Sequence, residues 1–136
     1  MTLLAATSDS LELRHLWDEA SASLASRRGG AALLTDIVRP LTTPDPWSEL
    51  LRAGAIFEEL ANGIPIGFVI CRSRVIEALY VTPKQRRQGV ARAMVASLLA
   101  SPSPPIDAWA LPGDRAAKSL YESIGWKARL LTMRAG

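Results

Sequence analysis

Three β-rich runs followed directly by an amphipathic helix, between residues 55 and 100, constrain the fold of this chain more than any other feature of its sequence. The runs read AIFEEL, PIGFVICR and RVIEALYV, and Asn62-Gly63, a pair favoured in tight hairpin turns, joins the first two. After Pro83 the apolar residues fall on one face of a helix that we expect to extend to about Ala100. This order predicts an antiparallel meander whose last strand leads straight into a helix.

Shorter patterns flank this central region on both sides. Before it, helical spacing predicts a helix over residues 8–28, a second at 31–38 and a third at 47–52, with a loop at 41–46. After it, IDAWAL predicts a strand, GDRAAKSLYESIG a helix that ends at Gly125, and WKARLLTMR a last strand. We therefore predict one α+β domain over residues 1–136, whose mixed sheet begins as an antiparallel meander and continues as β–α–β.

Composition excludes several classes of protein. No apolar stretch approaches the ~20 residues that span a bilayer, so we do not expect a membrane protein. The single Cys71 cannot form an internal disulfide, and with His15 as its one histidine the chain lacks the ligand set of a usual zinc site, so we expect no metal. The N-terminus has no basic leader before its short apolar run, which together with the lone cysteine predicts a cytoplasmic protein.

The segment YVTPKQRRQGVARAMV, residues 80–95, places several positive charges and one glycine where the strand becomes the helix. A helix that begins here leaves successive backbone N–H groups unpaired at its positive end, which attracts an anion. Gly89 removes the side chain where a phosphate must approach, and the small Ala91 keeps the first turn open. The segment predicts a phosphate site, although it has neither the glycine spacing of a dinucleotide fingerprint nor the Lys-Ser/Thr of a nucleotide P-loop.

The pattern Arg86-x-x-Gly89-x-Ala91, after a strand that ends LYV, resembles the Q/R-x-x-G-x-G/A motif of the GNAT superfamily of N-acetyltransferases. From residue 55 onward the order of the predicted elements is also similar to that family. The resemblance implies a GNAT-like fold, with helices on both sides of a central mixed sheet, and acetyl-CoA as the cosubstrate. It also implies that the acetyl-CoA contacts come from the end of this strand and from the motif, namely Leu79, Tyr80, Val81, Arg86, Arg87, Gln88, Gly89, Val90, Ala91 and Arg92.

A second segment, DRAAKSLYESIGW, is similar to the later helix of the family, usually written N-x-x-A-x-x-L-Y-x-x-x-G-F. Asp114 stands where asparagine is usual, and Trp126 stands where phenylalanine is usual. By resemblance, Asp114 contacts the cofactor, and Tyr121 both contacts it and acts as the general acid for the departing thiolate. From the residues alone, Tyr121 is equally a tyrosine that packs at the edge of the core with its hydroxyl satisfied.

Glu77 is the candidate for a base that acts through water. It lies two and four residues before Leu79 and Val81, so strand alternation predicts that it shares their face, near the amine. The alternative is a strand carboxylate that simply faces water. By resemblance, a backbone N–H around residues 79–81 would hold the acetyl carbonyl.

The leading interpretation is an acetyl-CoA-dependent N-acetyltransferase that acts on a primary amine of a small molecule, or of a protein or peptide, by direct attack in a ternary complex. In the family the acceptor is set by the early helices and their loop, here about residues 29–47, which match no substrate signature. The net charge of +3 does not predict a nucleic-acid partner, although it permits a charged tRNA as acceptor. The alternative is a CoA-binding or protein-interaction domain with the fold but no turnover, and we expect a monomer or a homodimer.

Overall fold

A five-stranded sheet forms the centre of the molecule, and helices cover both of its faces. The computed structural model describes residues 2–38 and 45–135. The strands are β1 (Thr2–Ala5), β2 (Ile56–Ala61), β3 (Ile64–Arg72), β4 (Val75–Val81) and β5 (Asp107–Ala108). The helices are α1 (Leu11–Ala25), α2 (Gly30–Val38), α3 (Pro46–Arg52), α4 (Val90–Leu99) and α5 (Arg115–Ser123).

The strands lie in the order β1-β2-β3-β4-β5, so each is next to its neighbour in sequence. The first four are antiparallel, and the tight turn between β2 and β3 takes positive φ angles at Asn62 and Gly63. In contrast, β5 runs parallel to β4 and pairs with it at only two positions, residues 75 and 76. Beyond residue 76, β4 therefore has a hydrogen-bonded neighbour on one side only within the described chain.

The predicted meander and the helix that follows it are confirmed, with α4 ending within a residue of the expected position. Two predictions at the C-terminal end need correction. IDAWAL forms only the two-residue strand β5, and WKARLLTMR forms no strand because its backbone groups make no hydrogen bond with a strand of the described chain. β1 was not predicted, since its short apolar run becomes a strand only by pairing with β2. The predicted loop at residues 41–46 lies largely outside the described residues.

The sheet separates two apolar clusters. On one face, α1 and α3 pack their buried residues against Phe68, and Trp17 stacks on Trp47 with ring centroids 5.0 Å apart. On the other face, α4 and α5 cover Val69, Ile76 and Val81. We call these the α1 face and the α4 face of the sheet. In the described part of the chain, no helix is both long enough and apolar enough to cross a membrane.

Candidate functional site

The junction between β4 and α4 has the backbone geometry of an anion site. After a short 3-10 turn at Pro83–Gln85, both Arg87 and Gly89 take positive φ angles, 63° and 78°. Gly89 is the N-cap of α4 and offers no side chain to the N–H groups of its first turn, where the first backbone bond runs from Ala93 N to Gly89 O. Apart from its own neighbours in the chain, no atom of the described residues lies within 4 Å of the position that a Cβ of Gly89 would take. The N–H groups of residues 90–92 have no acceptor in the described chain, so a phosphate could bind beside Gly89.

The three arginines of this junction, Arg86, Arg87 and Arg92, differ in their contacts. Arg86 folds back onto the strand: its Nε donates to Val81 O at 2.9 Å, and its guanidinium lies 5.4 Å above the ring of Tyr80. Arg92 donates to Ser123 Oγ and so ties α4 to α5. Arg87 makes no hydrogen bond or ion pair with any residue of the described chain, which leaves its charge for a ligand.

The end of β4 borders the gap that β5 leaves. Leu79 and Val81 pack on the α4 face, whereas Tyr80 packs on the α1 face, where its hydroxyl donates to Glu19 Oε2 at 3.0 Å. Because β5 stops pairing at residue 76, no described strand pairs with this edge of β4 beyond that residue, and except for Val81 O, which accepts from Arg86, its backbone groups are open to an extended ligand. The Tyr80–Glu19 contact joins residues 61 positions apart, and no local sequence pattern could have revealed it.

A β-bulge at Glu77 changes the predicted position of this carboxylate. Ala78 pairs with Ile70 while Ile76 pairs with Cys71, so Glu77 is one extra residue in β4. Both of its oxygens accept hydrogen bonds from Arg72, whose Nη2 also donates to the carbonyl of Ile37 at the end of α2. Glu77 is 7% exposed and reaches toward α2 on the α1 face, so the prediction that it shares the face of Leu79 and Val81 was wrong. The alternation of side chains between the two faces of the sheet fails here because the bulge inserts one extra residue into β4.

Tyr121 is the buried residue of α5 and lies on the α4 face of the sheet. It is buried in the same cluster as Ile76 and Val81, and its ring stacks on Trp126 with centroids 5.4 Å apart. Burial raises the pKa of Tyr121 well above the ordinary value for tyrosine, and the nearby Asp114 carboxylate raises it further. Its hydroxyl has no hydrogen-bond partner among residues 2–38 and 45–135, so it carries a proton that is not committed to the protein.

Asp114 caps α5. Its Oδ1 accepts from Ala117 N at 3.1 Å and lies 3.9 Å from Arg27 Nη1, which follows α1. The carboxylate therefore stabilises the helix that carries Tyr121 and links it to the first helices. Its predicted contact with a cofactor stays a prediction.

Other ionisable groups near the sheet are less suited to chemistry. Burial raises the pKa of the Cys71 thiol, and the nearby charge of Glu77 raises it further, so Cys71 is not an activated nucleophile. Glu58 lies on the α1 face in register with Phe68. Glu59 lies in register with Gly67, is 2% exposed and has a pKa that burial raises.

Comparison with known proteins identifies the family to which a chain with this site belongs. The family model described as "Acetyltransferase (GNAT) domain" matches residues 53–128, which is more than half of the chain. The chain belongs to the GNAT acetyltransferase family. The matched region contains the β4–α4 junction, Glu77, Asp114 and Tyr121, whereas α1, α2 and α3 begin before it.

Solved structures of GNAT acetyltransferases share this fold at low identity. The aminoglycoside N-acetyltransferase AAC(6')-Iy in complex with CoA is 19% identical, over 95% of this chain and 96% of that one, with a TM-score of 0.56. A ribosomal-protein-alanine N-acetyltransferase from Brucella melitensis biovar Abortus 2308 is 23% identical over 83% and 94% of the chains, with a TM-score of 0.52. A probable acetyltransferase is 21% identical over 100% and 99%, with a TM-score of 0.53. A search of curated protein sequences gives no significant match.

Proposed function

We propose that this GNAT domain, residues 1–136, is a cytoplasmic N-acetyltransferase that moves the acetyl group of acetyl-CoA to a primary amine by direct attack in a ternary complex. The observation that carries the proposal is the open N-terminus of α4 at Gly89, directly beside the unpaired edge of β4. An anion-binding helix end next to a strand edge suits a ligand with a pyrophosphate and an extended amide-containing arm.

The residues present fit acetyl-CoA at each point along this path. The N–H groups of Val90, Ala91 and Arg92, with the free side chain of Arg87, would hold the pyrophosphate. Gln88, whose amide donates to Lys84 O at 3.4 Å, and Arg86 would keep the loop in shape around it. Backbone groups of residues 79–81 would bind the pantetheine arm and the acetyl carbonyl. Bound acetyl-CoA would supply the acetyl group as a thioester, which is already activated for attack.

Tyr121 is the proposed general acid. Its raised pKa keeps the hydroxyl protonated at neutral pH, and the lack of a partner in the described chain leaves that proton available to a departing thiolate. The same raised pKa makes Tyr121 a weak acid, and a thiolate is a fairly stable leaving group. Its contribution to the rate therefore belongs at the low end of the range for general-acid catalysis.

Glu77 is the proposed base, acting through water. Arg72 orients the carboxylate at the bulge of β4, beside the stretch where residues 78–81 have an unpaired edge. Glu19, on the same α1 face, is a second carboxylate near the end of β4. Glu19 would favour a positively charged amine approaching from the side of α1, whereas Arg72 balances the charge of Glu77.

The acceptor is an amine of a small molecule or of a protein or peptide. Two relatives named for an aminoglycoside and for a ribosomal-protein alanine span these two classes, and the fold similarity does not choose between them. A charged tRNA is a minor alternative, whose binding would weaken steeply with added salt. The alternative from another class is a CoA-binding domain without turnover, because Asp114 replaces the usual asparagine and is already engaged as a helix cap.

A thiol-release assay tests the proposal. Purified protein is incubated with acetyl-CoA and a panel of polyamines, aminosugars, lysine-containing peptides and peptides with free N-termini, while free CoA thiol is followed. Amine-dependent thiol release that is lost in Gly89→Val supports the enzyme. Acetyl-CoA binding by calorimetry without release on any amine favours the inactive domain. No acetyl-CoA binding by the folded protein would refute the proposal.

A further inference from the structure

The turn between α1 and α2 lies against the loop between β5 and α5, and an ion pair joins the two. Arg27 Nη1 lies 3.9 Å from Asp114 Oδ1, and a Cβ at Gly29 would meet Leu111 Cδ2 at 3.6 Å. Leu111 is buried, and its carbonyl accepts a hydrogen bond from the backbone N–H of Asp114 at 2.9 Å. The turn and the loop therefore meet through both an apolar contact and a charged one.

The tight backbone of the α1–α2 turn fixes the point from which Arg27 reaches the loop. The N–H of Arg27 donates to Leu24 O, and its carbonyl accepts from Gly30 N, each at 3.0 Å. Gly29 takes a φ of +77°, and a Cβ on Gly30 would collide with the carbonyl of Leu24. Two adjacent glycines thus permit a turn that begins the Arg27 side chain close to Asp114.

The loop of residues 109–114 borders the gap beside β4. Within the described chain, the hydrogen bond from Trp109 N to Ile76 O ends the pairing of β5 with β4, so the loop begins where the edge of β4 becomes unpaired. Asp114 caps α5, and Tyr121 follows two helical turns later on the same face of that helix. Helical side chains lean toward the N-terminus, and the Asp114 carboxylate is close enough to raise the pKa of the Tyr121 hydroxyl.

We propose that Arg27 is a positioning residue for acetyl transfer, which offsets the charge of Asp114 so that acetyl-CoA and the departing thiolate meet no uncompensated carboxylate. The inference rests on the proposed function, from which it takes the place of acetyl-CoA. The Asp114 carboxylate is needed as the cap of α5, where its Oδ1 accepts from Ala117 N. Without a cation beside it, this carboxylate would repel a polyanionic cofactor and oppose negative charge on its sulfur. The Arg27 side chain has no other partner in the described chain, so its charge is available for this task.

The exposure of the two side chains favours this task over stabilisation of the fold. The side chain of Asp114 is 20% exposed and that of Arg27 is 43% exposed. Such an accessible ion pair adds little to stability, because water solvates both partners when they separate. The field of an uncompensated charge extends beyond contact distance: in a partly solvated site, a unit charge roughly 8 Å from another changes an equilibrium or rate constant by about 3–10-fold. We therefore expect an effect on acetyl-CoA binding and on kcat rather than on the melting temperature.

Calorimetry of acetyl-CoA binding tests the inference without turnover. The wild type is compared with four variants: Arg27→Gln, Asp114→Asn, the double variant Arg27→Gln/Asp114→Asn, and the control Arg28→Gln. The control removes the adjacent cation, whose side chain has no partner in the described chain. Asparagine caps a helix as well as aspartate does, so Asp114→Asn removes only the charge. We expect Arg27→Gln to bind about 3–10-fold more weakly, and the other three variants to bind at least about as tightly as the wild type.

Ionic strength and a conservative variant separate an offset charge from a structural role. At about 1 M salt, where the Debye length is ~3 Å, the ratio of affinities between the wild type and Arg27→Gln should approach one. A displaced loop would instead weaken binding at every salt concentration. Arg27→Lys keeps the charge and should bind like the wild type. In steady-state assays on any accepted amine, kcat should fall in Arg27→Gln and recover when Asp114→Asn is added, while thermal melts check that each variant is folded.

Two results would overturn this inference alone. One is an Arg27→Gln variant that binds acetyl-CoA as tightly as the wild type does. The other is a loss of affinity on Arg27→Gln that is equally large with Asp114 and with asparagine at that position, because the effect would then not act through the carboxylate. A folded wild type that binds no acetyl-CoA would refute the proposed function, and this inference with it.

Discussion

Replacing Gly89 by valine separates the backbone strain at this position from its role in binding. Gly89 has a φ of +78°, and a Cβ there would meet no atom of the described residues within 4 Å beyond its own chain neighbours. Gly54, after α3, is a matched control with a φ of +71° and equally open surroundings. The two substitutions therefore impose the same kind of strain, but only the one at Gly89 places a side chain where the pyrophosphate would lie.

The expected magnitudes follow from these two facts. A side chain in the left-handed region costs ~1–2 kcal/mol, somewhat more when β-branched. For a domain of this size that lowers the melting temperature by roughly 3–10 °C in both Gly89→Val and Gly54→Val. At 100 times its dissociation constant, acetyl-CoA stabilises a binding-competent protein by about 2.7 kcal/mol. If Gly89→Val weakens binding about 100-fold, the same concentration contributes only ~0.4 kcal/mol.

Thermal melts of the three proteins, with and without acetyl-CoA, measure both effects at once. We expect similar losses of melting temperature without ligand, and an upward shift with acetyl-CoA in the wild type and Gly54→Val but almost none in Gly89→Val. An equal ligand shift in both variants would mean that the cofactor does not approach Gly89. The placement of the pyrophosphate at the N-terminus of α4 would then be wrong.

Three further predictions address single side chains. Tyr121→Phe keeps the ring that stacks on Trp126, so steady-state kinetics should give a kcat lower by about 10–100-fold with KM nearly unchanged, and an unchanged kcat would remove Tyr121 from the chemistry. Glu77→Gln and Arg72→Gln both break a largely buried ion pair, which should lower stability by about 3 kcal/mol in chemical denaturation; kcat should fall more in Glu77→Gln, which removes the proposed base, than in Arg72→Gln, which only releases it from its orienting partner, and an unchanged kcat in Glu77→Gln would exclude this carboxylate as the base. Hydrogen bonds from Arg14, then from Ser48, lower the pKa of Asp45 to about 2, so Asp45→Asn should melt lower than the wild type at pH 5–7. That difference should shrink as pH falls from about 4 through 2, because the carboxylate is protonated first in the unfolded chain and then in the native protein, and a difference as large at pH 2 as at pH 7 would contradict this origin.

The fold was predictable from sequence where each element has a local signal. The strands β2 to β4 and the helix α4 have clear periodicity, and the Asn62-Gly63 turn requires positive φ angles that those two residues tolerate. β1 and residues 127–135 carry no such local signal. β1 becomes a strand because it pairs with β2, whereas residues 127–135 pair with no described strand. A strand is a property of a pair, so single-chain patterns mispredict it at the edges of a sheet.

The candidate site shows the same division. The glycine at the N-cap of α4 was predictable because the left-handed turn is a local requirement of residue 89 itself. The bulge at Glu77 was not, since it exists only in the register between β3 and β4. Nor could the sequence separate Arg86, which fastens the loop to the end of β4, from Arg87, whose side chain has no partner in the described chain. Two adjacent arginines have the same side chain, and only the conformation of the backbone decides which of them contacts the protein.

The distribution of charge supports two ligands of opposite sign on the two halves of the chain. Residues 62–136 contain eleven Lys and Arg against four Asp and Glu, while residues 1–61 contain five against nine. The basic half includes the β4–α4 junction, where an anionic cofactor would bind, and the acidic half includes α1 with Glu19 beside Tyr80. β4 lies between them, with Leu79 packed toward α4 and Tyr80 toward α1. A polyanionic acyl donor and a cationic amine would therefore approach the end of β4 from opposite sides, and direct transfer requires that their reacting groups meet at its unpaired edge.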